Sequence, residues 1–310
     1  MDVNEITGIN INGVKQYVSI QSVNKNNPVL LYLHGGPGDA ALPLVRKYNK
    51  ELTEHFTVAV WEQRGAGKSY YVFDPAGNIN IDTFLEDAAE VSRYLLGRFS
   101  QKKLYLVAHS WGSVIGLKAI LKYPDLFYKY VGVGQVVNMK ESSRIAFEFA
   151  VEKNRERGNR KVIERLKNID YTYSGDNWLE DLLFVTGQVV KNKGSLYGKT
   201  NWNRFILDFL LSRDYCIGDL IKRQKGSLQA INYLWPELMG INFEDVKKYD
   251  IPVIFIEGKY DMQASSVLAE KYYNSIETEK KLILFEKSCH FPQWSESLRF
   301  NKEIIRLLKE

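Results

Sequence analysis

Residues 104–116 of this 310-residue chain, LYLVAHSWGSVIG, decide the fold. An apolar run typical of a buried strand leads directly into Ser110, and a helical pattern begins at the next residue. A serine at such a strand-to-helix turn is the context of a nucleophile elbow, usually written Gly-x-Ser-x-Gly. Ala108 and Gly112 occupy the two glycine positions, and both are small enough for strand and helix to pack closely. The stretch predicts a nucleophilic Ser110, against the simpler alternative of a serine that caps a helix.

A serine nucleophile needs a base, and the chain has four histidines. His109 adjoins Ser110 and should project away from it. His34 ends an early strand in LHGGPG, whereas His55 precedes a strand and so lies at the opposite edge of the sheet. His290, in EKSCHFPQW, follows the last predicted strand, and a late loop at that edge can reach the elbow. We therefore predict His290 as the base.

The third member of such a triad is a carboxylate at a strand end between the serine and the histidine. Asp261, in IPVIFIEGKYDMQAS, lies shortly after the apolar run 253–256. Asp250 precedes that run and is rejected because it lies at the opposite edge. Glu257 directly follows the run and remains the alternative. The resulting chain order of serine, aspartate and histidine differs from the orders found in chymotrypsin and subtilisin.

Two glycine-rich stretches follow predicted strands. LHGGPG at 33–38 has unhindered backbone N–H groups, and those of Gly36 and Trp111 are the predicted donors of an oxyanion hole. EQRGAGKS at 62–69 ends like a phosphate-binding loop but has Glu62 where the first glycine is required. A carboxylate there would repel phosphates, so we reject nucleotide binding.

Strand-like and helix-like segments alternate along most of the chain. A capping box beginning at Thr83 and a stop at Gly97 predict one helix, and a second should run from Trp111 to Tyr123. The alternation predicts an α/β fold with a mostly parallel, doubly wound sheet. The predicted strands are 14–23, 29–33, 57–61, 104–108, 130–136, 253–257 and 282–285.

The alternation stops between residues 138 and 235, where the pattern is helical and rich in aromatic and basic residues. We predict that 138–235 is a helical lid, or cap, inserted into a core made of residues 1–137 and 236–310. Such an insertion would cover the sheet edge where the loops meet.

Composition argues against several kinds of partner. The net charge of +5 is spread along the chain without a long basic block, so we expect no nucleic-acid or membrane partner. Cys216 and Cys289 form neither a disulfide framework nor a metal-ligand spacing. We therefore expect a cytoplasmic protein without a metal or other cofactor, acting on a small molecule or a short peptide.

Together these motifs resemble the α/β hydrolases and, within that fold, the proline iminopeptidase family. The family's His-Gly-Gly-Pro-Gly is present at 34–38. Its Asp-Gln-Arg-Gly-x-Gly-x-Ser corresponds to 62–69, where Glu62 replaces the aspartate. Its Gly-Gly-Ser-Trp-Gly-Ser corresponds to 108–113, where Ala108 and His109 replace the two glycines. Cys289 stands where a glycine commonly precedes the histidine. The resemblance implies that an arginine and an acidic residue of the 62–69 turn brace the oxyanion loop.

The resemblance also implies a substrate. Aminopeptidases of this family release N-terminal residues from short peptides or amides. They bind the α-ammonium of the substrate through acidic residues in or near the cap. Glu180, Asp181 and Glu237 are the candidates here. An ammonium buried under a cap needs such a carboxylate, because its desolvation is otherwise too unfavourable. We expect at least one cap carboxylate to face Ser110.

Two alternatives stay open. A carboxylesterase or lactonase for small acyl substrates would use the same triad and line the cap with aromatic residues such as Trp178, Trp202 and Trp235. A receptor of hydrolase fold would bind a small ligand without turnover. Epoxide hydrolase and dehalogenase activities are disfavoured, because the relatives with those activities have an aspartate where Ser110 stands.

Overall fold

The computed structural model describes residues 1–309, in which one sheet of eight strands forms the centre. The strand order is β1-β2-β4-β3-β5-β6-β7-β8. The strands are β1 Val3–Ile11, β2 Val14–Ser22, β3 Val29–Leu33, β4 Thr57–Glu62, β5 Leu104–His109, β6 Phe127–Val133, β7 Val253–Gly258 and β8 Lys280–Phe285.

Helices connect the strands and cover the sheet. They are α1 Leu42–Tyr48, α2 Ile81–Phe99, α3 Trp111–Lys122, α4 Met139–Glu156, α5 Arg160–Leu166, α6 Trp178–Lys191, α7 Asn203–Leu210, α8 Ile217–Leu238, α9 Ser266–Ser275, α10 Pro292–Ser295 and α11 Ser297–Lys309. Three short 3₁₀ turns are Lys50–Glu54, Gly67–Ser69 and Pro124–Leu126.

Strands β3 to β8 pair in parallel, whereas β1 and β2 pair antiparallel at one side of the sheet. All residues of β3, β4 and β7 are buried, because helices cover both faces of a parallel sheet. Alternate residues of β3 accordingly enter two separate apolar cores, with Leu31 in one and Leu30 in the other. The predicted α/β class with a mostly parallel, doubly wound sheet is confirmed.

The N-terminal strand β1 was not predicted, because its sequence is largely polar and its residues are only partly buried. A signal for it was present in Asn12-Gly13, the two-residue loop between β1 and β2. Asn12 has a φ of 46° and Gly13 a φ of 80°, and Asn-Gly is the preferred sequence for a tight hairpin turn with two positive φ angles.

The predicted helix ends also need correction. Helix α2 begins after Asn80, whose side chain accepts a hydrogen bond from Thr83 N at 2.9 Å, so Thr83 is the third helical residue and not the cap. The helix passes Gly97 and ends where Ser100 adopts a left-handed conformation, with a φ of 51°. Strand β6 lies three residues earlier than predicted at both ends.

Helices α4 to α8 lie between β6 and β7, in the part of the chain predicted as the cap. Helix α8 continues through Pro236 to Leu238, three residues past the predicted boundary. Asn138 and Asn242 form an isolated bridge where the inserted segment leaves and re-enters the core. The five helices are joined to the core at one edge of the sheet, the edge at which Ser110 lies.

Candidate active site

Ser110 lies on a strained turn between β5 and α3. Its φ of 53° and ψ of −122° are rare for a residue with a side chain. Gly112 makes the turn possible, because a Cβ at that position would lie 2.6 Å from the carbonyl oxygen of Leu33. The Ser110 side chain makes no capping hydrogen bond to α3, so the simpler explanation of a helix-capping serine is wrong.

Three predicted residues form one hydrogen-bonded chain. Ser110 Oγ lies 2.8 Å from His290 Nε2, and His290 Nδ1 lies 2.7 Å from Asp261 Oδ2. The other Asp261 oxygen accepts backbone N–H groups from Gln263 at 2.8 Å and Ala264 at 3.2 Å. His290 and Asp261 are both buried, so water is largely excluded from the carboxylate–imidazole pair. The arrangement allows proton transfer from Ser110 to a ring whose orientation is fixed by Asp261.

Glu257, the alternative acid, is turned away from the histidine. Its Oε1 accepts a hydrogen bond from Gln135 N at 2.9 Å, and its Oε2 is buried without a hydrogen-bond partner. Burial raises the pKa of the Glu257 carboxyl well above its ordinary value, and the nearby charge of Asp261 adds to the effect. A neutral carboxyl at this position cannot replace Asp261 beside His290.

Two other histidines pack around the site in their neutral form. His109 Nε2 lies 2.8 Å from the carbonyl oxygen of His290, and its pKa is lowered well below the ordinary value by burial and then by the charge of His290. His34 Nε2 accepts Gln63 N at 3.1 Å, and burial lowers the pKa of His34 to about 4. Both rings hold backbone in place, whereas the hydrogen bond described for Ser110 Oγ goes to His290.

The loop at 34–38 lies beside the elbow. Gly36 has a φ of 137°, and a Cβ there would lie 2.7 Å from Gly38 N, so glycine is required for this conformation. Gly36 and Trp111, the two predicted oxyanion donors, both line the space next to Ser110.

Gln63 joins the loop at 34–38 to the turn at Ser110, a role that was not predicted from the sequence. Its Nε2 donates to the carbonyl oxygen of His34 at 2.9 Å, and its Oε1 accepts from Trp111 Nε1 at 2.8 Å. The expectation that an arginine and an acidic residue brace the loop is wrong in detail. Arg64 instead pairs with Asp87 on α2, at 2.7 Å and 2.8 Å.

A cavity of about 210 Å³ lies between Ser110 and the cap. On the core side it is lined by Gly36, Trp111 and His290. The cap contributes mainly apolar side chains, among them Met139, Ala146, Tyr173, Leu182, Val185, Val189, Ile231 and Trp235. No carboxylate is among the described residues that line this cavity.

Comparison with known proteins agrees with this geometry. Residues 28–297 match the sequence model of the family described as the alpha/beta hydrolase fold, which covers well over half of the chain. The chain belongs to the α/β-hydrolase family. A protein of Bacillus subtilis named "Probable aminopeptidase YbaC" is 33% identical over 303 residues, covering 96% of this chain and 94% of the relative.

The predicted resemblance to proline iminopeptidases is confirmed as well. A proline iminopeptidase of Saccharolobus solfataricus is 25% identical, covering 95% of this α/β hydrolase and 88% of the relative. The crystal structure of a proline iminopeptidase of Mycobacterium smegmatis superposes with a TM-score of 0.68 at 15% identity, covering 98% of each chain, which shows a shared fold. The relatives named here are hydrolases, so the prediction of a hydrolase is confirmed.

The three carboxylates predicted to bind an ammonium do not reach the cavity of this α/β hydrolase. Glu180 forms an ion pair with Arg165 at 2.7 Å and is 72% exposed. Glu237 Oε2 accepts a hydrogen bond from Ile81 N at 2.7 Å and thereby caps α2. Asp181 is half-buried on α6 but does not line the cavity. The expectation that a cap carboxylate faces Ser110 is therefore wrong for this structure.

A second cavity, of about 390 Å³, also reaches Ser110 and His290. Aromatic side chains form much of its wall: Trp202, Phe205, Phe209, Phe291 and Trp294. Its one carboxylate, Asp39, forms an ion pair with Arg223 at 2.5 Å. The charge of Asp39 is thus already balanced within the hydrolase.

Residues 1–309 contain no cluster of histidine, cysteine, aspartate and glutamate side chains that could hold a metal ion. Lys68, at the end of the 62–69 turn, forms an ion pair with Asp219 at 2.7 Å. None of the helices in the described part of the chain combines the length and the hydrophobicity of a bilayer-spanning segment.

Proposed function

We propose that this protein is a serine hydrolase in which Ser110 is the nucleophile. His290 accepts the Ser110 proton as Oγ attacks a carbonyl carbon, and Asp261 orients the ring and stabilises the imidazolium that forms. The observation that supports these roles is the hydrogen-bonded chain from Ser110 through His290 to Asp261, at 2.8 Å and 2.7 Å.

The remaining steps use the same groups. The backbone N–H groups of Gly36 and Trp111 would donate to the negatively charged oxygen of the tetrahedral intermediate. His290 would then protonate the leaving group and activate a water molecule that hydrolyses the acyl-enzyme. These reaction steps need no metal or cofactor, because the two backbone N–H groups would stabilise the negative charge of the intermediate.

The substrate that this site fits best is an ester or lactone of an uncharged, apolar acyl group. The observation that carries this choice is the cap wall of the first cavity, which is apolar and has no carboxylate among its described residues. Apolar atoms gain roughly 25 cal/mol for each Å² removed from water. A buried ammonium without a counter-charge instead loses several kcal/mol, so an aminoacyl group would bind poorly.

Labelling and turnover test this function together. The protein should react covalently with a fluorophosphonate probe at Ser110 and release p-nitrophenol from short-chain acyl esters through repeated turnovers. Covalent labelling without turnover of any ester, lactone or amide would indicate a ligand receptor of hydrolase fold. Absence of both would contradict a serine mechanism.

Aminopeptidase activity is the second candidate, and the comparisons favour it. A relative that is 33% identical over nearly its whole length is named a probable aminopeptidase. If this chain shares that activity, the α-ammonium must bind backbone carbonyl oxygens or neutral side chains such as Gln263, which lines both cavities. Hydrolysis of aminoacyl β-naphthylamides in preference to p-nitrophenyl esters would select this candidate.

We also propose that the protein is located in the cytoplasm. Cys216 and Cys289 are both free, and Cys216 is exposed, which fits the reducing conditions of the cytoplasm. The substrate cavities have the size for a small molecule or the end of a short peptide.

A further inference from the structure

The cap exposes an unusual number of large aliphatic side chains within residues 206–221. Six of them are between 50% and 76% exposed: Ile206, Leu207, Leu210, Leu211, Ile217 and Ile221. We call this set the α7–α8 apolar face. Single exposed leucines are ordinary on a protein surface, but a cluster of this size marks a binding surface or an aggregation risk.

The spacing explains how α7 produces such a face. Ile206 and Leu210 are four residues apart, as are Leu207 and Leu211, so all four lie on one side of the helix. The opposite side is attached to the core, because Asp208 is buried and accepts hydrogen bonds from Lys47 Nζ and Tyr48 OH. The apolar side is exposed to solvent, and its four residues are 50–71% exposed.

The unpaired charges around this face are positive. Each acidic residue in 204–225 is paired with a basic residue of the core: Asp208 with Lys47, Asp214 with Arg46 at 2.6 Å, and Asp219 with Lys68 at 2.7 Å. Arg213, Lys222 and Lys225 are exposed, and none of them has an acidic partner among the described residues. The apolar face is thus bordered by uncompensated positive charge.

We propose that the α7–α8 apolar face docks on an anionic lipid surface. Aliphatic side chains flanked by Lys and Arg are the combination by which surface helices insert into the headgroup region of anionic bilayers. A second copy of this chain would fit less well, because two such faces would bring the same positive charges together. The lack of a long basic block in the sequence argues against a membrane partner, but the fold pairs the intervening acids with basic residues of the core.

The face is continuous with the second cavity. Ile206 belongs to the apolar face and also lines that cavity together with Trp202 and Phe205. Docking would place the aromatic wall of the cavity near the lipid surface. This arrangement does not depend on the proposed substrate, because it rests on exposure and charge alone.

Vesicle sedimentation tests the docking directly. The full-length protein should co-sediment with vesicles of equal parts phosphatidylglycerol and phosphatidylcholine, and much less with phosphatidylcholine alone or at high salt. Leu211→Ser combined with Ile217→Ser should weaken this binding at least about tenfold, because two inserted aliphatic side chains are lost. The two side chains are 71% and 76% exposed, so the variant should keep the wild-type melting temperature.

Leu298→Ser is the matched control, because Leu298 on α11 is 73% exposed but lies outside the face. It should bind anionic vesicles as the wild type does. Equal binding by the double variant, or no binding of the wild type to anionic vesicles, would overturn the proposal. Concentration-dependent dimerisation that the double variant abolishes, without vesicle binding, would assign the face to a second copy.

Discussion

At the residue scale, the site depends on where strands end. Ser110, Asp261 and His290 follow β5, β7 and β8, and the carboxyl ends of neighbouring parallel strands converge at one edge of the sheet. That rule let the sequence predict all three residues. It favoured Asp261 but left Glu257 as the weaker alternative, because both follow the same apolar run. The choice became clear only when the structure showed Glu257 turned towards Gln135.

Ser110→Ala tests the nucleophile. The variant should melt as the wild type does, because Ser110 Oγ makes no capping hydrogen bond to α3. Its kcat should fall by a factor on the order of 10⁶, as for the serine of other such triads, and fluorophosphonate labelling should disappear. Retention of more than about a tenth of wild-type kcat would contradict the serine mechanism.

Asp261→Asn tests the acid, with Glu257→Gln as its matched partner. The amide should hold His290 in the wrong tautomer and lower kcat by about 10⁴ with little change in fold. Glu257→Gln should leave kcat within about threefold of wild type, because a protonated carboxyl and an amide are nearly equivalent there. The assignment is wrong if the two variants show the opposite pattern in steady-state kinetics.

At the element scale, α8 and the segment before it are fastened to the turn at 62–69. Tyr215 OH donates to Glu62, and Asp219 pairs with Lys68 Nζ, which lies 4.9 Å from the Tyr215 ring centroid. Glu62, the residue that departs from the family motif, also accepts a hydrogen bond from Lys68 N at 2.6 Å. Sequence alone could not reveal the contact, because the partners are about 150 residues apart and lie in an insertion.

Glu62 should make stability depend on pH. Burial raises the pKa of Glu62 to about 7, against an ordinary value of 4.5, and outweighs the hydrogen bonds from Tyr215 and Lys68 that lower it. The folded protein therefore retains a proton that the unfolded chain releases, and stability falls as pH rises from about 4.5 to about 7. The loss amounts to about 3 kcal/mol at most.

Glu62→Gln removes that ionisation and should flatten the dependence. The free energy of unfolding, measured in urea at about pH 5 and about pH 8, should differ less in the variant than in the wild type. Glu270→Gln, an exposed change on α9, is the control and should keep the wild-type difference. The raised pKa assigned to Glu62 would be contradicted if the wild type became more stable from about pH 5 to about pH 8 and Glu62→Gln showed the same pH dependence.

At the scale of the whole molecule, a sheet with helices on both faces has five inserted helices between β6 and β7, at the edge where Ser110 lies. Hydrophobic periodicity was enough to predict the sheet class and the inserted helices. It could not predict which cap side chains point inward, because that depends on how the inserted helices pack. Trp178 stacks on Trp235, for example, whereas Glu180 on the same helix turns outward to Arg165.

The substrate proposed above depends on the apolar inner wall that the inserted helices give the first cavity. L-proline benzyl ester and benzyl cyclopentanecarboxylate test it, because the two have the same leaving group and nearly the same acyl shape. They differ in one ring atom, which is a protonated amine in the first and a methylene in the second.

The measurement is kcat/KM for both esters at a pH where the amine is protonated. The release of benzyl alcohol reports the rate. We predict a value at least about 100-fold higher for the cyclopentanecarboxylate, because an unpaired ammonium loses several kcal/mol on entering the cavity. A preference of about tenfold or more for the proline ester would contradict the account and leave the aminopeptidase in its place.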